Sequence, residues 1–162
     1  VRELLPDAER VAALLRRRGE TVAVAESAAG GLIAAALLGL PGASAYFRGG
    51  AVLYTRIAVA ALSRAPASEL ASMRGATEAW ALFMARSARE RFEAHWAVGE
   101  SGAAGPTGNR YGDPPGHACL AVAGPLERAR TIATGEADRV ANMYAFARAA
   151  LALLAETIEH RV

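Results

Sequence analysis

Apolar residues recur along this chain in two periods. After Asp7, the residues Val11, Leu14 and Leu15 share one helical face, and Arg16-Arg17-Arg18-Gly19 has the cationic end and glycine stop of a helix C-terminus. This pattern predicts a helix over residues 7–18. Thr21 to Ala25 alternates too little for a half-exposed strand and reads as a short buried one. The small-residue run Ala25-Glu26-Ser27-Ala28-Ala29-Gly30-Gly31 then turns into a second helix, from Leu32 to near Gly39-Leu40-Pro41-Gly42. Phe47 to Tyr54 is aromatic and aliphatic, and Gly49-Gly50 within it marks a bulge or a close backbone approach. A short helix is expected around Ile57 to Leu62. Thr77 caps a longer one through about Arg91, with Trp80, Phe83, Met84 and Ala88 as its apolar stripe. Trp96 to Glu100 is a second inner strand, and residues 101–116 form the one long loop. His117 to Ala123 and Arg130 to Thr134 read as a hairpin joined through Gly124-Pro125, followed by a last helix from near Ala137 to about Glu159.

Strands interleaved with helices and closed by a hairpin predict an α/β fold, a mixed β-sheet with helices packed on it. At 162 residues there is room for one well-buried domain and not for two ordinary ones. No apolar run reaches the roughly 20 residues of a membrane span. Arg2, Glu3, Asp7 and Glu9 interrupt the first residues, where a signal peptide would need a long apolar core. No membrane association and a cytoplasmic location are therefore expected. The net charge of +2 comes from arginines scattered along helices, so nucleic acid is not an expected partner. Ala-rich helix faces suit close packing between subunits, and a homo-oligomer is expected.

Cys119, the only cysteine, lies in an apolar run and reads as a buried thiol, which excludes a disulfide framework and a cysteine zinc site. Glu26, Glu100 and Asp113 are too dispersed for a metal site, and neither metal nor cofactor is expected. All eighteen basic residues are arginine. Without lysine, every mechanism that needs a lysine amine as base or Schiff-base former is closed.

Chemistry on an anion or acyl group is the first expectation, because Ser27 sits in an abrupt strand-to-helix turn, beside the unpaired N–H groups of a first helical turn. Ala25 and Ala29 give that turn a loose likeness to the G-x-S-x-G nucleophile elbow, without its glycines. A serine before a helix is also an ordinary N-cap or ligand contact. Gly30-Gly31 allows backbone to approach a phosphate closely. Of the histidines His95, His117 and His160, only His117 adjoins the glycine-rich loop, with Asp113 four residues before it. A Ser27–His117 pair oriented by Asp113 or Glu100 would supply a base for the hydroxyl proton; the alternative is a structural histidine at a strand start.

Laid end to end, these segments resemble the C-terminal domain of the competence-damage-inducible protein CinA, a family that also includes nicotinamide mononucleotide deamidases. The family's Ala-Glu-Ser-Cys-Thr-Gly-Gly turn matches Ala25 to Gly31, and its Pro-Gly-Ser-Ser-x-x-Phe-x-x-Gly segment matches Pro41 to Gly50. Its strand-ending Tyr falls on Tyr54, its Thr/Ser-Gly-x-Ala-Gly-Pro loop on Ser101 to Pro106, and its Gly-x-Arg approximately on Gly135 to Arg139. The resemblance implies an α/β domain that hydrolyses the carboxamide of nicotinamide mononucleotide to nicotinate mononucleotide and ammonia. It implies a site in which Ser27 attacks the amide, Tyr54 or His117 handles the proton, and loop N–H groups stabilise the oxyanion. Gly30, Gly31, Ser101, Gly102, Gly105 and Arg139 would bind the small phosphorylated nucleotide. The departures fall on chemical groups: Val59 stands where the active family has a Lys, Ala28 and Ala29 replace its Cys and Thr, and Asp113 replaces a Lys. Valine cannot accept a proton, so a non-catalytic nucleotide-binding or regulatory module is the rival expectation.

Overall fold

Strand β1, Val22–Glu26, is buried along its whole length, which explains why its sequence shows no apolar-polar alternation. In the computed structural model, which describes residues 1–161, β1 is flanked on both sides by parallel neighbours. These are β2, Phe47–Val52, and β3, Trp96–Ala103; β4, His117–Ala123, and β5, Arg128–Ala133, continue the sheet antiparallel in the order β2-β1-β3-β4-β5. One mixed sheet thus organises a single domain.

Helices α1, Leu5–Arg18, α2, Leu32–Leu38, and α6, Arg139–Glu159, cover one face. There Val24, Trp96, Val98 and Leu120 pack with Leu15, Ile33, Phe146 and Leu151. The other face carries α3, Arg56–Ser63, α4, Ala67–Ser72, and α5, Glu78–Arg91. Its sheet residues are small, Ala23, Ala25, Ala97 and Ala123, against Trp80, Met84 and Ala88 of α5. The small residues let α5 lie so close that a Cβ at Gly99 would fall 1.9 Å from the Ala81 carbonyl oxygen.

The expected mixed α/β architecture is observed, with boundary differences that have physical causes. Thr77 caps α5 by accepting the Trp80 N–H at 3.2 Å, and Gly19 ends α1 in the left-handed region at φ 63°. Helix α1 begins two residues earlier than the pattern indicated, with Pro6 tolerated in its first turn. The register between β1 and β2 slips at Arg48, directly before the glycine pair where a bulge was expected. β2 stops at Val52, leaving Tyr54 outside the sheet, and α4 had no counterpart in the sequence reading. β3 runs on to Ala103 because β4 pairs with it through Ala103–His117, so the long loop starts later than expected. Among the described residues no helix is long and apolar enough to cross a membrane.

Candidate functional site

The parallel register ends at the Ala25–Gly99 pair, which brings Glu26 and Glu100 side by side where β1 and β3 meet the serine turn. Both side chains are buried, and both point into the turn's backbone. Glu100 Oε2 accepts the N–H groups of Ser27 and Ala29, each at 2.9 Å, with the Ala28 N–H also turned toward it. The Glu26 carboxylate accepts from Ile33 and Ala34, each at 3.0 Å. Gly30 N–H bonds the Ser27 carbonyl and Leu32 N–H that of Ala29. Most of the amides expected to be unpaired are therefore taken, and that expectation is corrected: buried N–H groups at a positive helix start have drawn in two internal carboxylates. Burial pushes Glu100 up to about 7 against the opposing turn N–H groups, and the neighbouring Glu26 charge adds to the rise. Its second oxygen, Oε1, is buried without a hydrogen-bond partner. Burial likewise raises Glu26.

Beside the turn lies a cavity of about 620 Å³ that brings together Ser27, Ser101 and Gly102 with Tyr54, and Val59 forms part of its apolar wall. A second cavity of about 240 Å³ holds Ala28, Gly105 and Arg139. Tyr54, Gly102 and Asn109 line both. Tyr54 is 65% exposed, and its hydroxyl accepts from Arg139 Nη2 at 3.2 Å while Arg139 Nη1 donates to the Gly105 carbonyl at 2.7 Å. Ser101 Oγ accepts the Ala76 N–H at 3.3 Å.

Three expected site residues lie outside these cavities. Gly30 and Gly31 shape the turn at φ 66° and 99°, Gly30 backed by the Met143 methyl and Gly31 by Val52. His117 lies on the sheet face that carries α5, with Nε2 2.9 Å from the Ala76 carbonyl oxygen and 3.6 Å from Cys119 Sγ. Glu100 pairs with Leu120 and faces the opposite side, so strand alternation separates it from His117. Asp113 is 3.9 Å from His117 but is held by Arg74 at 2.6 Å and Asn109 at 2.8 Å. The Ser27–His117 pairing is thus not formed. Cys119 is buried as expected, and burial raises its thiol.

Arg56, Arg110 and Tyr111 belong to the same cavity and were not singled out from the sequence. Arg56 opens α3 and stacks over the Trp80 ring at 5.0 Å. Its guanidinium donates to the Leu70 and Met73 carbonyls and, at 3.1 Å, to the Tyr111 hydroxyl. Arg110 Nη2 donates to the same hydroxyl at 2.8 Å. The Arg56 hydrogen bond, against the effect of burial and with help from Arg110, lowers Tyr111 to about 8. The available signal was an arginine and an aromatic side by side in the only long loop. Among the described residues no cluster of His, Cys, Asp or Glu could hold a metal ion.

These features define an α/β domain in which a serine turn ends an inner strand, β1, beside an arginine-lined cavity. The chain belongs to the CinA C-terminal domain family, whose model matches residues 6–158. It is 41% identical over 111 residues to a CinA-like protein of Synechococcus sp. (strain CC9902), covering 68% of this chain and 26% of that protein. It is 40% identical over 140 residues to a CinA-like protein of Anaeromyxobacter sp. (strain K), covering 85% of this chain and 34% of that protein. The chain therefore spans only about a quarter to a third of the length of the curated relatives it matches. Among solved structures, competence damage-inducible protein A of Klebsiella pneumoniae superposes with a TM-score of 0.91 at 28% identity, covering 98% of this chain and 99% of that one. The competence/damage inducible protein CihA of Agrobacterium tumefaciens gives 0.88 at 31% identity, covering 95% and 94%.

Proposed function

We propose that this chain binds a small phosphorylated pyridine nucleotide across the two adjoining cavities, with Ser27 beside the ligand and Arg139 at its phosphate. The observation that carries this reading is the charge of the lining: Arg56, Arg110 and Arg139 contribute to it, and no Asp or Glu does. A cleft lined by one sign of charge attracts and concentrates an anionic ligand. Arginine's planar donor fork matches phosphate oxygens.

The family resemblance implies amide hydrolysis of such a ligand, with Ser27 as nucleophile. A serine hydroxyl needs a base to take its proton and donors aimed at the oxyanion that forms. Val59, only 2% exposed on the cavity wall, offers no base, and the turn amides are committed to Glu100 and Glu26. Both observations favour binding without efficient turnover.

Titration calorimetry with nicotinamide mononucleotide and nicotinate mononucleotide tests this. Saturable binding of at least one is expected, weakened about tenfold or more in Arg139→Gln, since a charged hydrogen bond contributes on the order of 1.5–3 kcal/mol. Ammonia release by the parent should stay at the enzyme-free background. Absence of binding by both nucleotides would refute the ligand class, and rapid ammonia release would restore the hydrolase reading.

A further inference from the structure

The arginines of the cavity are not grouped in one place. Arg139 belongs to the smaller cavity, while Arg56 and Arg110 meet at the Tyr111 hydroxyl on the wall of the larger one. Arg74 also reaches the Tyr111 ring, but its charge is matched by Asp113. Arg56 and Arg110 have only neutral acceptors, two backbone carbonyls and one phenol between them. Cationic groups gathered without a carboxylate are stabilised by an anion supplied from outside. The surroundings also select its shape. Trp80 and Tyr111 both line the larger cavity, and each ring carries a guanidinium stacked on it, Arg56 at 5.0 Å and Arg110 at 4.9 Å. A guanidinium held flat on a ring presents a planar donor fork, which suits a carboxylate.

We propose that Arg110, with Arg56 and the Tyr111 hydroxyl, forms a second anion subsite, and that the cavity selects a nucleotide anionic at both ends: a phosphate monoester at Arg139 and an aromatic carboxylate at Arg110. The proposal rests on the nucleotide reading above and adds to it a direction of preference. The acid form of a pyridine mononucleotide is bound in preference to the amide. Tyr54, Gly102 and Asn109 line both cavities, which therefore lie side by side within reach of one ligand. The assignment agrees with a site poor in turnover, because an amide offers the Arg110 end no charge to neutralise.

The test is calorimetry of the parent, Arg110→Gln and Arg139→Gln with nicotinate mononucleotide and nicotinamide mononucleotide. The parent should bind the acid about tenfold more tightly than the amide. Arg110→Gln should abolish the advantage of the acid, weakening the acid about tenfold more than the amide, whereas Arg139→Gln should weaken both alike. Arg110 is exposed and its side chain makes one hydrogen bond, so the substitution leaves the fold intact. As a second readout, the Tyr111 phenol, followed by ultraviolet difference absorbance against Tyr111→Phe, should titrate near its starting value of about 8 in the free protein and higher with the acid bound. Equal affinities for acid and amide, or an equal loss of both in Arg110→Gln, would overturn the second subsite while leaving the nucleotide pocket standing. Failure of both ligands to bind the parent would overturn the pocket and the subsite together.

Discussion

Val59→Lys is expected to raise ammonia release from nicotinamide mononucleotide by about 10²-fold over the parent, with Ser27→Ala in that background abolishing the gain. Val59 lines the same cavity as Ser27 and is 2% exposed, so an amine placed there enters a desolvated wall. Desolvation, reinforced by the Arg56 charge in the same cavity, lowers the lysine from its ordinary value of about 10.4 and leaves part of it neutral at pH 7. The neutral fraction can accept the serine proton. The gain should stop short of the ~10⁴-fold that a general base can supply. The Ser27 and Ala29 amides remain bound to Glu100, and each missing oxyanion donor costs about 10²-fold or more. A gain that survives Ser27→Ala would mean that the lysine acts on water and that Ser27 is not a nucleophile. No gain, in a variant shown to fold and to bind the nucleotide, would leave the site as a binding site only.

The stability of the protein should fall as pH rises from about 4.5 to 7, and Glu100→Gln should remove most of that slope. Glu100 is held near 7 in the folded chain against an ordinary value of 4.5. The folded state therefore binds the proton more tightly than the unfolded state, and the stabilisation is complete below the unfolded value. It is lost as pH climbs through the folded one. A shift of this size corresponds to roughly 3 kcal/mol across the window. Glu26, raised in the same direction, contributes a slope of the same sign that persists in the variant. Glu100→Leu is a different lesion, because it leaves the Ser27 and Ala29 amides buried without an acceptor, at a cost of about 1–3 kcal/mol each. Urea unfolding at pH 5 and pH 8 separates these effects. A Gln variant with the parent's full pH slope would show that Glu100 is already ionised at pH 5.

The elements around the site were legible because each rests on a local cause. The apolar run of β1, the Thr77 cap of α5, the register slip beside Gly49-Gly50 and the terminal hairpin follow from patterns a few residues long. Ser27, Tyr54, Ser101, Gly102, Gly105 and Arg139 do converge on the adjoining cavities, through three chain segments and a helix start whose motifs could be read individually. What could not be read was strand register. Glu100 closes what looks like an ordinary buried strand, and only the parallel pairing of β1 with β3 places it under the serine turn. His117 failed for the same reason, since closeness in sequence to the loop gives no sign of the sheet face on which a strand residue emerges. Arg56 and Arg110 lie 54 positions apart and share a site only through the Tyr111 hydroxyl.

Six of the eight backbone amides from Ser27 to Ala34 end on acceptors inside the protein, although the run from Ser27 to Gly31 consists of serine, alanine and glycine and would by composition be a mobile loop. Amide deuterium exchange should therefore be slow at these six amides, with protection factors comparable to those of the central strands rather than of a loop. The amides tied to one carboxylate should open as a unit. In Glu100→Leu, the exchange of Ser27 and Ala29 should accelerate together while Ile33 and Ala34, tied to Glu26, stay protected.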